Sequence, residues 1–368
     1  MRILHIYKTY FNETHGGVEE TIRILANGLY REGSIADVFT LGEKNKVFQF
    51  EDHTVYVFKT DFTIASNPFS FQALINFNTI AQKYDVLHFH YPFPYGEFLW
   101  LLSKKNKPII VTYHSDIIKQ KLLKVIYRPL KTIFFHFAKK IVYTSPNYLK
   151  ISDTLSKYSQ KLECIPLGIN FKEILDVSET SKIKWKKKIK TPFFLFLGAL
   201  RYYKGLDVLI KACIGFKGNV VLAGYSKDIN QWKEKVNALG LKNIYFTGKI
   251  SENEKKAIIS ICYAHILPSQ LRTEAFGIVQ LEAAAHSKAL ICSNIGTGTT
   301  YVNKNNITGI VFPAKDHKKL QNAMNFLLNN PIKTNQMGIA AKYRCSKKFS
   351  SETMIKSYVN IYKKLYDN

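Results

Sequence analysis

Residues 264–292 read AHILPSQLRTEAFGIVQLEAAAHSKALIC, and they decide the fold. Ala264–Leu267 and Ala289–Cys292 are apolar runs of strand length, and Phe276–His286 between them carries apolar residues at helical spacing. A strand, a helix and a second strand of this kind are the repeating unit of a parallel sheet covered on both faces. Glu274-Ala275-Phe276-Gly277 is expected to open the helix, and Glu282 lies eight residues further on. At ~3.6 residues per turn that is about two turns, so both carboxylates are expected on one helix face. Ile278, Val279, Leu281 and three alanines surround Glu282. A carboxylate so placed needs a partner.

The same alternation extends outward. In the second half, apolar runs stand at Phe193–Leu197, Val220–Ala223, Ile244–Phe246 and Gly309–Val311. Helical spacing fills Leu206–Ala212, Asp228–Leu239, Glu252–Ile261 and Asp316–Leu328. The first half repeats the plan, with runs at Ile3–Tyr7, Ala36–Leu41, Val55–Phe58, Val86–His90, Ile109–Tyr113 and Ile141–Thr144, and helices over Val18–Tyr30 and Phe71–Gln82. The reading is an α/β chain of two Rossmann-like, doubly wound domains, 1–170 and 171–350, facing each other across a cleft. The boundary falls near Gly168–Ser181, before the basic stretch Lys182–Lys190. The amphipathic segment Glu352–Tyr366 makes 351–368 a C-terminal helix, expected to return toward the N-terminal domain. Ligands of such sheets bind beyond the carboxyl ends of the strands.

The chain's 368 residues, 46% of them hydrophobic, exceed what one core encloses, since single cores stop growing at roughly 250–300 residues. The N-terminus has no apolar h-region, and no run reaches the ~20 apolar residues of a spanning helix. The five cysteines are scattered without a C-x-x-C pair, which fits reduced thiols and a cytoplasmic location. A net charge of +26 calls for an anionic partner: nucleic acid, phosphorylated substrate or lipid headgroups. No helix-turn-helix, zinc or RNA-recognition signature accompanies the charge, so nucleic acid is not the expected partner. In Lys119–Lys140, Lys121, Lys124, Arg128 and Lys131 recur at three- to four-residue spacing, with Leu122, Val125, Ile126 and Ile133 on the other side. Pro129 is expected to divide the segment into two helices. Such a basic amphipathic element suits an anionic membrane surface; a core-packing helix with a solvated face is the competing reading.

Several residues directly after strands carry candidate chemistry. Gly16-Gly17-Val18-Glu19 opens a helix, where glycines and unpaired N–H groups admit an anion; an ordinary turn would look the same. No G-x-G-x-x-G or P-loop pattern occurs. Arg201-Tyr202-Tyr203-Lys204-Gly205 places two cations at a strand-to-helix junction, suited to a diphosphate and to the charge that grows as it departs, or to a solvated surface. Thr112-Tyr113-His114-Ser115-Asp116 ends a strand; His114 suits a sugar hydroxyl, and Asp116 either orients the loop or meets an acceptor. His88, His90 and His114 could in principle ligate a metal, but no carboxylate cluster and no Asp-x-Asp accompanies them, so no metal site is expected.

Together these residues resemble the family 4 (group 1) retaining glycosyltransferases of GT-B fold. The likeness runs through the glycine loop, the His88–His90 strand end, Pro166-Leu167-Gly168-Ile169-Asn170, Gly198–Gly205, the E-x7-E segment Glu274–Glu282, and Thr308-Gly309-Ile310-Val311-Phe312-Pro313. Within the group the chain looks most like bacterial mannosyl- and rhamnosyltransferases of O-antigen and surface polysaccharide assembly. The resemblance implies an acceptor-binding first domain and a nucleotide-sugar-binding second one, on the inner face of the cytoplasmic membrane. The donor substrate would be GDP-mannose or a UDP-hexose, the acceptor lipid-linked oligosaccharide or saccharide, and no cofactor or metal would be needed. It implies catalytic roles for His114, Glu274, Arg201 and Lys204. Gly16, Gly17, Arg201, Lys204, Glu274, Phe276, Gly277, Ile278 and Glu282 would bind the donor, with Glu282 on the ribose. Two departures stand out: Ala199 and Leu200 precede Arg201 where many relatives place the arginine directly after the glycine, and Ala275 replaces a common glycine. A nucleotide-sugar epimerase of the same fold is the first alternative; a nucleic-acid-binding protein is the second.

Overall fold

The structure, a computed structural model, describes residues 1–11, 16–117 and 121–366, without the side chains of 121–124. The chain divides into two compact units, Met1–Gly168 with Ser351–Asn368, and Ile169–Ser350. The first unit ends two residues before the expected 170 because Ile169 pairs with Ser350 and donates its N–H to the Phe349 carbonyl at 2.9 Å.

The first unit runs β1 (Arg2–Ile6), α1 (Gly17–Arg31), β2 (Ile35–Gly42), β3 (Lys46–Phe50), β4 (His53–Lys59), β5 (Phe62–Ile64), β6 (Asn67–Phe69) and α2 (Phe71–Ala81). It continues with β7 (Val86–Tyr91), α3 (Pro94–Leu102), β8 (Ile109–Tyr113), α4 (Lys121–Phe137), β9 (Lys140–Tyr143), α5 (Pro146–Ile151) and β10 (Leu162–Cys164). Its eight-stranded sheet has the order β10-β9-β8-β7-β1-β2-β4-β3, parallel except for β3. β3, β10 and the β5–β6 hairpin lack the apolar runs that mark the other strands. β3 alternates half-buried and exposed residues, and β5 is exposed throughout. α4 is one helix rather than two, with Pro129 inside it. Val125 and Pro129 are both exposed, so water can meet the carbonyl that the proline leaves without its partner.

The second unit runs α6 (Phe171–Leu175), α7 (Glu179–Lys188), β11 (Phe193–Leu197), α8 (Leu206–Ala212), β12 (Asn219–Ala223), α9 (Ile229–Ala238) and β13 (Ile244–Gly248). α10 (Glu252–Ile261), β14 (Ala264–Leu267), α11 (Ile278–Ala285), β15 (Ala289–Asn294), α12 (Thr299–Val302), β16 (Gly309–Pro313), α13 (His317–Asn329) and α14 (Pro331–Lys348) complete it. The six strands are all parallel, in the order β13-β12-β11-β14-β15-β16. β11, Phe-Phe-Leu-Phe-Leu, is buried at every position, as a central parallel strand covered on both faces must be. The basic stretch that follows the expected boundary is mostly α7: the Ser178 hydroxyl caps it, Trp185 is buried, and Lys184 reaches Glu254 of α10 at 2.6 Å.

The last helix, α15 (Ser351–Tyr366), belongs to the first unit. Met354, Ile355, Tyr358, Val359 and Tyr362 pack on Ile3, Val86, Ile110 and Val142 of the sheet. Toward the carboxyl ends of the strands the same face turns polar, with His5, His88, His90, Thr112 and His114, all buried. The Tyr362 hydroxyl meets His88 Nδ1 at 2.6 Å. His88 Nε2 meets Thr112 Oγ1 at 2.7 Å, and the Tyr358 hydroxyl meets the same oxygen at 2.7 Å.

Burial pushes His5 and His114 down to about 3 and His88 and His90 well below the ordinary 6.5, with neighbouring histidines adding to the shift for His5, His88 and His90. The unfolded chain therefore binds protons that the folded unit refuses. This stabilisation is complete above pH 6.5 and is lost as the pH falls from there toward 3. At pH 5 the loss reaches about 2 kcal/mol for His5 and for His114. Urea unfolding should show a markedly lower midpoint at pH 5.0 than at pH 7.5, with part of the difference removed in His5→Phe; equal midpoints would contradict the assignment.

Candidate active site

In the second unit the strand order reverses between β11 and β14, the place where open parallel sheets bind ligands beyond their carboxyl ends. The loop after β11 carries Arg201 and Lys204, and the loop after β14 carries Glu274. The two loops are pressed together. A Cβ on Gly205 would lie 1.9 Å from the Pro268 carbonyl oxygen, and its φ of 76° is in the left-handed region, so only glycine fits. The Gln270 N–H donates to the Tyr203 carbonyl at 2.8 Å across the junction.

Lys204 and Glu274 form an ion pair, their side chains only 12% and 11% exposed. Burial alone would lower the Lys204 pKa, but Glu274 beside it, with Tyr203, raises it above its ordinary value. The ammonium is therefore charged at neutral pH. The Ser269 hydroxyl donates to Glu274 Oε2 at 3.2 Å, and Thr297 Oγ1 holds the Glu274 carbonyl at 2.8 Å. Arg201 is exposed at the start of a single 3-10 turn, Tyr202–Lys204.

Glu274 does not begin the helix. α11 starts at Ile278, and Gly277 before it has φ 79° and ψ 58°. That left-handed residue turns the chain, so Glu274 sits in the loop and shares no helix face with Glu282. Glu282 lies inside α11 and is 6% exposed. The partner its apolar setting calls for is Lys255 of α10, whose Nζ donates to Glu282 Oε1 at 3.0 Å. Glu282 Oε2 is buried with no hydrogen-bond partner. Phe276 is buried against Phe349, ring centroids 5.9 Å apart. Ser269, Thr297 and Lys255 are the supporting residues that sequence reasoning missed. Only the need of Glu282 for a counter-charge pointed toward one of them.

In the first unit the strand order reverses between β7 and β1. Gly16 and Gly17 are exposed at the start of α1, where Gly16 takes the capping position without a side-chain bond. Glu19 folds back toward them: a Cβ on Gly16 would lie 2.6 Å from its carboxylate, which also accepts from the Thr9 hydroxyl at 2.8 Å. An anion here would meet that carboxylate as well as the N–H groups. Asp116 is spent on its loop, accepting from the hydroxyls of Tyr113, Tyr148 and Ser152, so of its two expected roles it takes the orienting one.

His114 Nε2 meets His90 Nδ1 at 3.0 Å, and His90 Nε2 meets His5 Nδ1 at 3.1 Å. Ligand nitrogens of His5, His88 and His90 lie within 4.8 Å of one another. Both nitrogens of His88 and of His90 are engaged in hydrogen bonds, and a metal would have to break them. His5, His90 and His114 form a hydrogen-bonded imidazole row, with His88 held beside it by Thr112 and Tyr362, rather than a preformed ligand set.

The basic segment is only partly as expected. Lys119 and the side chains of Lys121, Leu122 and Lys124 lie outside the described residues. Lys131 turns inward to Thr154 Oγ1 at 3.0 Å. Val125 and Ile126, candidates for the packed side, are 70% and 75% exposed, and Ile133 and Phe137 are exposed with them. Phe134 and Phe135 fix the helix instead.

Residues 15–173 match the model of Glycosyltransferase Family 4, and residues 177–344 match that of Glycosyl transferases group 1. The chain is 40% identical to the O-antigen chain mannosyltransferase C of Escherichia coli, with all of both chains covered. It is 38% identical to the D-rhamnosyltransferase WbpZ of Pseudomonas aeruginosa, over 95% of this chain and 93% of that one. Its fold matches that of sucrose-phosphate synthase from Thermosynechococcus elongatus, with a TM-score of 0.83 at 20% identity, covering 100% and 99% of the two chains. Two Rossmann-like domains of GT-B type, with paired charges at the switch point of the second, thus belong to an enzyme of known kind: this chain is a member of the family 4, group 1 glycosyltransferases.

Proposed function

We propose that the enzyme transfers a hexose, with retention of anomeric configuration and without a metal, from a nucleotide-sugar to a lipid-linked or saccharide acceptor in surface polysaccharide assembly. The Lys204–Glu274 pair at the β11/β14 switch point carries the reading. The names of the two relatives, an O-antigen mannosyltransferase and a D-rhamnosyltransferase, make GDP-mannose the first donor to test. Lys204, with Arg201 beside it, holds the diphosphate and neutralises the charge that grows as it leaves. Glu274 grips the transferred sugar. Glu282, with one oxygen held by Lys255 and the other buried and unpaired, takes the ribose hydroxyls. Phe276, Gly277 and Ile278 are the second unit's further candidates for donor contact, and Gly16 and Gly17 those of the first. His114 offers a neutral imidazole to a sugar hydroxyl.

In the proposed step the bond between the anomeric carbon and the phosphate oxygen loosens to an oxocarbenium-like state. The acceptor oxygen then bonds to that carbon on the same face. The departing phosphate takes the acceptor's proton and leaves with the electron pair. The protein contributes positioning and charge.

The acceptor's setting follows from α4. No helix among the described residues is long and apolar enough to cross a membrane. The exposed face of α4 combines Val125, Ile126, Ile133 and Phe137 with Arg128. Elsewhere in the same unit, residues 62–82 contain no charged side chain and expose Phe62, Ile64, Phe71 and Ile75. Apolar surface beside cations suits shallow insertion among anionic headgroups, which would hold the enzyme peripherally on the inner face of the cytoplasmic membrane.

The direct test offers purified enzyme a panel of labelled GDP-mannose, UDP-glucose and UDP-galactose with polyprenyl-linked acceptors. Sugar should pass to the acceptor from one donor, and Lys204→Ala should lower that rate at least about 100-fold with the fold intact. An epimerised sugar nucleotide formed without acceptor would instead mark an epimerase. In flotation, vesicles containing phosphatidylglycerol should capture the chain, and Ile126→Ser combined with Phe137→Ser should release it; equal capture of the variant would remove α4 from the membrane face.

A further inference from the structure

The imidazole row in the first unit reaches from His114 inward and ends blind. His114, His90 and His5 stand on neighbouring strands or their ends, on one face of the sheet, and all are buried. Their rings are joined by two nitrogen-to-nitrogen contacts of 3.0 and 3.1 Å, and His5 Nε2, at the inner end, has no partner. Burial keeps all three neutral, so each ring carries one N–H.

Two neutral rings meet without repulsion only when one donates and the other accepts. The row therefore has two proton arrangements. If His114 donates from Nε2 to His90, His90 must donate from Nε2 to His5, and His5 is left with a buried N–H and no acceptor. If the direction is reversed, His5 donates from Nδ1 to His90, and His90 donates from Nδ1 to His114 Nε2. His5 Nε2 is then a bare lone pair, and His114 carries its proton on Nδ1. Orphaned buried N–H groups are the rarer defect in folded proteins, which favours the reversed direction.

We propose that His5 and His90 are positioning residues that hold His114 as the Nδ1–H tautomer. This rests on the reading of His114 as a sugar-binding group, made above, and adds how that group is set. His114 Nδ1 forms no hydrogen bond to a described residue and is not among the buried unpaired atoms. It is the one nitrogen of the row left for substrate, and the tautomer makes it a donor. A sugar hydroxyl that accepts from it keeps its own proton for another acceptor. His90 fixes ring orientation as well, since it stacks on His114 with centroids 5.3 Å apart and planes 21° apart. His88 sits beside the row, tied to Thr112 and Tyr362, and packs on His90 at 4.4 Å without entering the chain of bonds.

A histidine in water prefers the Nε2–H tautomer, so the row imposes the less common form. Ring nitrogen-15 NMR of histidine-labelled enzyme, with His114→Gln to assign the signal, reads the tautomer without any turnover. The expected result is a protonated Nδ1 and an unprotonated Nε2 at His114. In His90→Leu the signal should move to the Nε2–H form, and in His90→Asn, whose amide can still donate to His114, it should stay. The rate of transfer should fall about tenfold in His90→Leu and recover in His90→Asn, with nucleotide affinity unchanged in both. His5→Leu should shift the tautomer with His90 in place, which separates the effect from local packing. A His114 that already carries its proton on Nε2 in the wild-type chain overturns the proposal, whatever the transfer assay shows. The expected tautomer in an enzyme that transfers no sugar would leave the row as described and remove the role of His114.

Discussion

A lysine and a glutamate, each about nine-tenths buried, hold one another at the junction of two loops, and the contacts between those loops keep them there. Burying such a pair earns little stability, because the desolvation of both charges offsets their attraction. Under the proposed function its value lies in what each partner would exchange the other for. A diphosphate can take the place of Glu274 beside Lys204, and sugar hydroxyls can take the place of Lys204 beside Glu274. A donor carries both groups, so it can satisfy both charges at once. The glycine at 205, the Gln270–Tyr203 bond and the Ser269 and Thr297 hydroxyls keep the two loops close enough for the pair to form.

The same economy governs Glu282. Lys255 occupies one carboxylate oxygen and leaves the other buried and unpaired. That is a costly state for a folded protein unless a ligand completes it. In the first unit the polar burden falls on the sheet face under α15. Its aliphatic half binds the helix and its histidine half, toward the strand ends, carries His114. α15 is at once a packing element and the source of the Tyr358 and Tyr362 hydroxyls that satisfy Thr112 and His88.

The buried parallel strands were legible because they are continuous apolar runs; β11 and β14 have the residues that the pattern marks. β3 and the β5–β6 hairpin were not, because half-exposed edge strands carry no such run. α14 escaped because, Met337 apart, its buried positions Thr334, Gly338, Ala341 and Cys345 are small or polar. At the site, Lys204, Glu274 and Glu282 could be singled out from the positions they hold after strands and in an apolar setting. The pairing could not. Lys204 and Glu274 are 70 residues apart in sequence, and only the strand order makes their loops neighbours. The shared helix face assigned to Glu274 and Glu282 failed on one residue, because Gly277 takes a left-handed conformation that spacing does not reveal. α4 was misjudged in a similar way: its period was clear, but which face the sheet would bury was not.

The central claim is that Lys204 and Glu274 trade each other for the two halves of a donor. Titration calorimetry of GDP and UDP against Glu274→Gln tests it, beside a transfer assay of the same variant. A glutamine keeps the size of the side chain and removes the charge that the diphosphate must displace. The account predicts that the nucleoside diphosphate binds at least as tightly as it does to the wild-type chain while sugar transfer collapses. Diphosphate affinity and transfer falling together, or transfer unchanged, would contradict it.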